Sequence, residues 1–151
     1  MRSLFGFLVL TAAAAAVGTL VEPGSWYAGI DKPDLTPPDA VFGPVWGVLY
    51  LMIAVAGWLL WQVRDTSPSA RVALGLWLFQ LVLNGLWSGL FFGVHRLGLA
   101  FAEILVLWLA ILATIAVAWR ARPLAGMLLI PYFLWVGFAA WLNGTIWLLN
   151  R

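Results

Sequence analysis

The chain has 151 residues, 64% of them hydrophobic, with eight basic and six acidic side chains, eleven tryptophans, one histidine and no cysteine. Fourteen charges cannot cover a soluble domain of this size, which excludes a water-soluble globule, and a mean hydropathy of +1.00 places the chain in a lipid bilayer. The lack of cysteine removes disulfides, thiolate nucleophiles and Cys-ligated zinc, one histidine is too few for a protein-only transition-metal site, and the scattered basic residues form no patch for nucleic acid.

Thirteen of the fourteen charges fall outside five apolar stretches, residues 4–21, 41–63, 72–94, 97–119 and 124–149. About 20 helical residues cross a bilayer core, and lipid offers the backbone no hydrogen-bond partner, so each stretch reads as a transmembrane helix. The predicted fold is all-α: one domain over residues 1–151, an integral, multi-pass bundle of five transmembrane helices with a Pro-rich loop capping one end. The first stretch has a rival reading as a secretory leader, because Arg2, the apolar core Leu4 to Leu10 and the small run Ala12 to Ala16 fit that pattern. Its apolar character continues through Val17 to Val21 and stops at Glu22-Pro23, and we read it as an uncleaved helix.

Residues 22–40 form the one long connection, with Pro23, Pro33, Pro37 and Pro38. Proline fixes φ and cannot continue a helix, so an ordered, irregular cap is expected, packed through Trp26, Tyr27 and Ile30. The other connections are short and make their helices antiparallel neighbours. Five spans put Arg2, Arg64, Arg71, Arg120 and Arg122 on one side and Lys32, Arg96 and Arg151 on the other, which favours an N-inside orientation if the membrane is an inner or cytoplasmic one; the sequence does not say which membrane holds the chain.

In the third stretch Gln80, Asn84, Trp87, Ser88 and Phe91 share one helical face. Two amides near mid-membrane need partners, so the face should point into the bundle, either to hydrogen-bond other helices or to orient a ligand. Gly85, Gly89 and Gly93 form a flat strip that suits close packing within the chain or, in the reading favoured here, a homodimer face. Glu103 is the one charge inside a span; reflection through the His95-Arg96 turn sets it near Ser88, where a structural hydrogen bond to a hydroxyl or amide is expected. Trp46 with Tyr50, and Trp135 with Ala139 and Asn143, are i, i+4 sets, and Trp135 lies near the middle of its span. Trp58, Trp61, Trp77, Trp119 and Trp147 sit near span ends as interfacial anchors. Inward aromatics, amides and small residues would line a slot for a large flat apolar molecule with a polar edge. No nucleophile–base pair, phosphate loop or carboxylate dyad is present, so any chemistry would belong to the ligand.

Trp26-Tyr27, Lys32-Pro33, Pro37-Pro38, Gly43-Pro44-Val45-Trp46 with Leu49-Tyr50, Gln80-Leu81, Leu83-Asn84 with Trp87, Phe91-Phe92-Gly93, Pro131-Tyr132, Trp135 and Leu142-Asn143 form an ordered, specific set. By these residues the chain resembles the translocator protein or tryptophan-rich sensory protein family, also called peripheral benzodiazepine receptors. The resemblance implies a five-helix bundle, usually a homodimer, that needs no obligatory cofactor. It also implies binding of porphyrins such as protoporphyrin IX, or haem-like tetrapyrroles, under the first loop, and of synthetic isoquinoline and benzodiazepine-type ligands. Carried over, the ligand positions are Tyr27, Trp46, Asn84, Trp87, Trp135, Ala139 and Leu142, beneath a cap holding Trp26, Pro33, Pro37 and Pro38. Trp46 and Trp135 also match positions linked to light-dependent porphyrin breakdown in some bacterial members.

The chain departs from the family pattern at Leu35, where Trp is usual, at Ser88-Gly89, often Pro-Pro, and at Glu103, commonly Asp. Gly144 replaces the Tyr of the cholesterol-recognition segment of animal members, so steroid transport is not expected. The leading expectation is a porphyrin-binding sensor, carrier or scavenger. The alternatives are a light-dependent porphyrin-degrading enzyme and a small exporter or assembly subunit.

Overall fold

The computed structural model describes residues 2–20 and 24–151. Val21, Glu22 and Pro23, where the first apolar stretch meets the cap loop, lie outside the described residues. The regular elements of the described residues are all helical: α1 (Arg2–Thr19), a short α2 (Gly24–Gly29), α3 (Asp39–Gln62), α4 (Pro68–Ser88), a π-helical segment (Gly89–Gly93), α5 (Leu97–Ala121) and α6 (Pro123–Leu149). Four helices are long and apolar enough to cross a membrane, Asp39–Gln62, Pro68–Gly93, Leu97–Ala121 and Pro123–Leu149, while α1 is a shorter apolar helix. The sequence marks several ends locally. The Ser67 hydroxyl accepts from the Ala70 N–H at 3.3 Å ahead of Pro68, and Pro123 opens α6, where a missing N–H costs nothing.

Packing of α5 on α6 follows a rule that neither helix shows alone. Four contacts set an aromatic ring of one helix on a glycine of the other: Trp147 on Gly98, Phe101 on Gly144, Trp108 on Gly137 and Trp119 on Gly126. In every pair the two residue numbers add to the same total, as an unbroken antiparallel register requires. A Cβ at Gly98, Gly126 or Gly144 would come within 2.9 Å of its ring, so the absent side chain makes the seat. Trp108 also stacks on Phe133 at 4.7 Å and donates its N–H to the Phe133 carbonyl at 3.1 Å.

Helix α1 lies against α3 and α4. Phe7 meets Trp77 edge-on at 5.1 Å, over Gly57, where a Cβ would come within 2.8 Å of both rings. Trp77 is therefore not an interfacial anchor as the sequence suggests. It is fully buried, and its indole N–H donates to the Ile53 carbonyl at 2.8 Å, because Gly57 leaves room for the ring between helices. Trp61, by contrast, is exposed beneath the Arg64 guanidinium, 3.8 Å from the ring centre, and Trp119 is also exposed. Large apolar residues such as Val48, Leu51, Val82, Leu109 and Leu134 point outward, an arrangement suited to lipid and untenable in water.

The cap is ordered, but its first part is helical rather than irregular. Gly24, in the left-handed region at φ 55°, opens the six-residue α2, and a turn tied by the Thr36 N–H on the Pro33 carbonyl at 3.0 Å precedes α3. Trp26 stacks on His95 at 3.9 Å between ring centres, and Tyr27 meets Phe91 and Phe92 edge-on. His95 itself holds φ 55°, a strained conformation for a non-glycine residue, in the turn between the π segment and α5.

Candidate functional site: a divided cavity beneath the cap

A cavity of about 470 Å³ lies beneath α2, between α1, α3 and the end of α4, a size that suits a small ligand. Tyr27 is its roof, Trp46, Tyr50, Asn84 and Trp87 form its walls, and Asp39 stands among the residues lining it. One wall is flat for lack of side chains. Gly43 and Gly47 lie one turn apart on α3 with no atom within 4 Å of a built Cβ, and Ala15 and Gly18 of α1 line the same space.

A second space of only about 40 Å³ lies deeper toward α6, lined by Trp135, Ala139, Leu142 and Asn143. Five aromatic side chains, Tyr27, Phe42, Trp46, Trp87 and Phe92, line both spaces and form the partition between them. Trp135 packs on Phe42 with ring centres 5.9 Å apart and also borders an outer apolar groove with Pro37 and Pro131.

The polar groups around the cavity hold one another. Tyr50 donates to the Asn84 carbonyl oxygen at 2.6 Å, and the Asn84 amide donates to the fully buried Tyr132 hydroxyl at 2.9 Å, which joins α3, α4 and α6 through one side chain. One turn along α4, the Trp87 indole donates to Asn143 at 3.0 Å, and Asn143 donates on to the Leu97 carbonyl at 3.1 Å. The inward face of α4 is thus bound as bundle glue while it still borders the cavity. In the cap, burial first and the Asp39 carboxylate second push the Tyr27 phenol above its ordinary value, so the roof keeps its proton at neutral pH.

The π segment brings the aromatic partition together. Its wider turn, closed by Val94 N–H on the Gly89 carbonyl at 2.9 Å, lets both Phe91 and Phe92 meet Tyr27. It also explains a failed expectation. Reflection of α4 onto α5 assumed two regular helices meeting at a tight turn, and the π segment with the left-handed His95 intervenes. Glu103 is buried, but neither carboxyl oxygen has a hydrogen-bond partner among the described residues, so the expected bond to a hydroxyl or amide is not made.

The seven residues singled out for a ligand divide between the two spaces. Tyr27, Trp46 and Trp87 line both, Asn84 only the larger, and Trp135, Ala139 and Leu142 only the smaller. Of the cap residues, Trp26 is half-buried on His95 and Phe91, Pro33 closes a turn, Pro37 borders the outer groove, and Pro38 precedes α3. Within the glycine strip, Gly85 faces Val17 of α1 and Gly93 is exposed. The sequence does not single out Phe42, Gly47 and Phe92 for a ligand; Phe92 stands only in the Phe91-Phe92-Gly93 motif, and the i, i+4 spacing of Gly43 and Gly47 is the one hint of a bare helical face.

With this geometry, comparison with known proteins is direct. The TspO/MBR family profile matches residues 6–148. The protein CrtK of Rhodobacter capsulatus is 33% identical over 144 residues, 95% of this chain and 90% of that one. The human translocator protein is 37% identical over 146 residues, 94% of this chain and 86% of its own. The tryptophan-rich sensory protein of Cereibacter sphaeroides is 34% identical over 144 residues, covering 95% and 89%. Matches of this length and strength, on a bundle of long apolar helices, make the chain an integral, multi-pass membrane protein that belongs to the TspO/MBR family.

Proposed function

We propose that the chain binds a flat, largely apolar ligand with polar edges, of the porphyrin class, in the cavity beneath the cap. One observation carries the reading: a space of about 470 Å³ sets a bare glycine wall on α3 beside the aromatic rings of Tyr27, Trp46, Tyr50 and Trp87, with Asp39, Asn84 and Ser88 as polar edges, a lining suited to a planar ring system. The ligand enters the larger space first, and the aromatic partition yields so that one edge reaches Trp135, Ala139 and Leu142. The relatives' names, translocator and sensory protein, fit a chain that holds such a ligand in a membrane to carry it or to report on it. Titrating purified protein with protoporphyrin IX tests the reading. Saturable quenching of tryptophan fluorescence is expected, weakened at least tenfold in Trp46→Leu and Trp135→Leu; unchanged binding in both variants contradicts the site.

The same reading includes five spans. An 18-residue α1 is about 27 Å long at 1.5 Å per residue, close to the ~30 Å hydrocarbon core, and completes the bundle beside α3 and α4. It also includes a homodimer through the exposed end of the glycine strip at Gly93. A second reading, light-dependent breakdown of the bound porphyrin, draws on Trp46 and Trp135 both bordering the inner space. Aerobic illumination should then consume porphyrin faster than it does with an unrelated tryptophan-containing membrane protein.

A further inference from the structure

Apolar contacts and one directional contact hold the cap on the bundle. Trp26 on His95 and Tyr27 among Phe91 and Phe92 are ring contacts, which tolerate sliding. The directional one is a two-point hydrogen bond across 119 residues of sequence: the Asp31 backbone N–H donates to the Asn150 side-chain oxygen at 3.0 Å, and the Asn150 amide donates back to the Asp31 carbonyl at 2.8 Å. The side-chain amide pairs with the N–H and C=O of one residue, as residues opposite each other in an antiparallel ladder exchange both bonds. The amide also donates to the Ile146 carbonyl at 2.8 Å, which fixes its rotamer on the end of α6. Among the described residues, no other hydrogen bond joins the cap segment 24–37 to the helices of the bundle.

Asp31 is tied to the roof of the cavity through its neighbour Lys32. Lys32 donates to the Tyr27 and Ile30 carbonyls and sits 4.7 Å over the Tyr27 ring, which ties residues 27–32 together. Tyr27 borders both spaces beneath. We propose that Asn150 is the latch of the cap: its paired hydrogen bonds to Asp31 keep Tyr27 seated over the cavity and set the rate at which the cavity exchanges its contents. The latch is solvent-exposed and so is weak enough to open on its own, and two hydrogen bonds bias the closed state by roughly tenfold.

The proposal rests on the cavity being the ligand site, and its test reads access without using a ligand. The chain has no cysteine, so Ser88→Cys places a single thiol in the cavity wall for labelling with a water-soluble maleimide. Adding Asn150→Ala should speed labelling about tenfold, and Asn150→Leu, which keeps bulk but no amide, should match it. Arg151→Ala, next to the latch, should leave the rate within twofold. Hydrogen–deuterium exchange at the Asp31 amide should accelerate in both Asn150 variants, with Ile111 and Leu129 in the core still protected. Unchanged labelling, equal acceleration by Arg151→Ala, or slow labelling in Asn150→Leu overturns the latch. A protein that fails to bind protoporphyrin IX yet shows the labelling pattern keeps the latch and loses the ligand reading.

Discussion

Asn84 uses both ends of its amide on tyrosines, and this decides what it can do. Its partners, Tyr50 and Tyr132, come from α3 and α6, so the residue is a structural tie as well as a cavity wall. Asn84→Leu keeps the volume and removes both bonds, leaving the fully buried Tyr132 hydroxyl without its donor. We predict a loss of about 2 kcal/mol in unfolding free energy in a detergent titration, the cost of orphaning a buried polar group. A loss below about 0.5 kcal/mol would show that the tyrosines find other partners. The inward turn of this face was legible in the spacing of Gln80, Asn84 and Phe91, all buried. The fate of each amide was not, because periodicity sets a direction but names no partner on another helix. Trp77 shows the same limit: depth along the span suggests a membrane boundary, and only the space left by Gly57 shows why the ring goes inside.

At the scale of elements, the α5–α6 pair is a register written in glycines and rings. Gly98→Ala and Gly144→Ala each drive a Cβ to within 2.9 Å of a ring, and we predict about 1–3 kcal/mol of destabilisation apiece, read as a lower thermal midpoint in detergent. Gly75→Ala in α4 is the control: a built Cβ there meets nothing within 4 Å, so the higher helix propensity of alanine should leave stability equal or improved. Equal losses at all three positions would contradict the register. The seat of Phe101 also gives a physical reason for Gly144, since a tyrosine at that position could not enter without displacing the ring. The long helices were readable from uninterrupted apolar runs, with ends within a few residues of those observed. The π segment and α2 were not, since a one-residue widening and a six-residue helix leave the hydrophobic pattern unaltered.

The whole molecule is a bundle with apolar sides and one capped end, and its odd number of proposed spans fixes where the termini lie. Single cysteines introduced at Ser3 and Arg151 should label from opposite faces of sealed vesicles, with residue 3 on the side carrying Arg64, Arg71 and Arg120. Labelling from one face would remove α1 from the membrane. The cavity sits at the capped end, between the shorter α1 and the long helices, where glycines stand in for side chains. That placement makes the central claim testable with one substitution. Gly47→Leu adds a side chain on the bare wall, where a built Cβ touches nothing, so the helix stands while the space for a planar ligand is filled. Titrating the wild type and Gly47→Leu with protoporphyrin IX, read by tryptophan quenching, should give saturable one-to-one binding in the first and at least a tenfold weaker response in the second. Equal binding by the two proteins would place the ligand elsewhere and contradict the account.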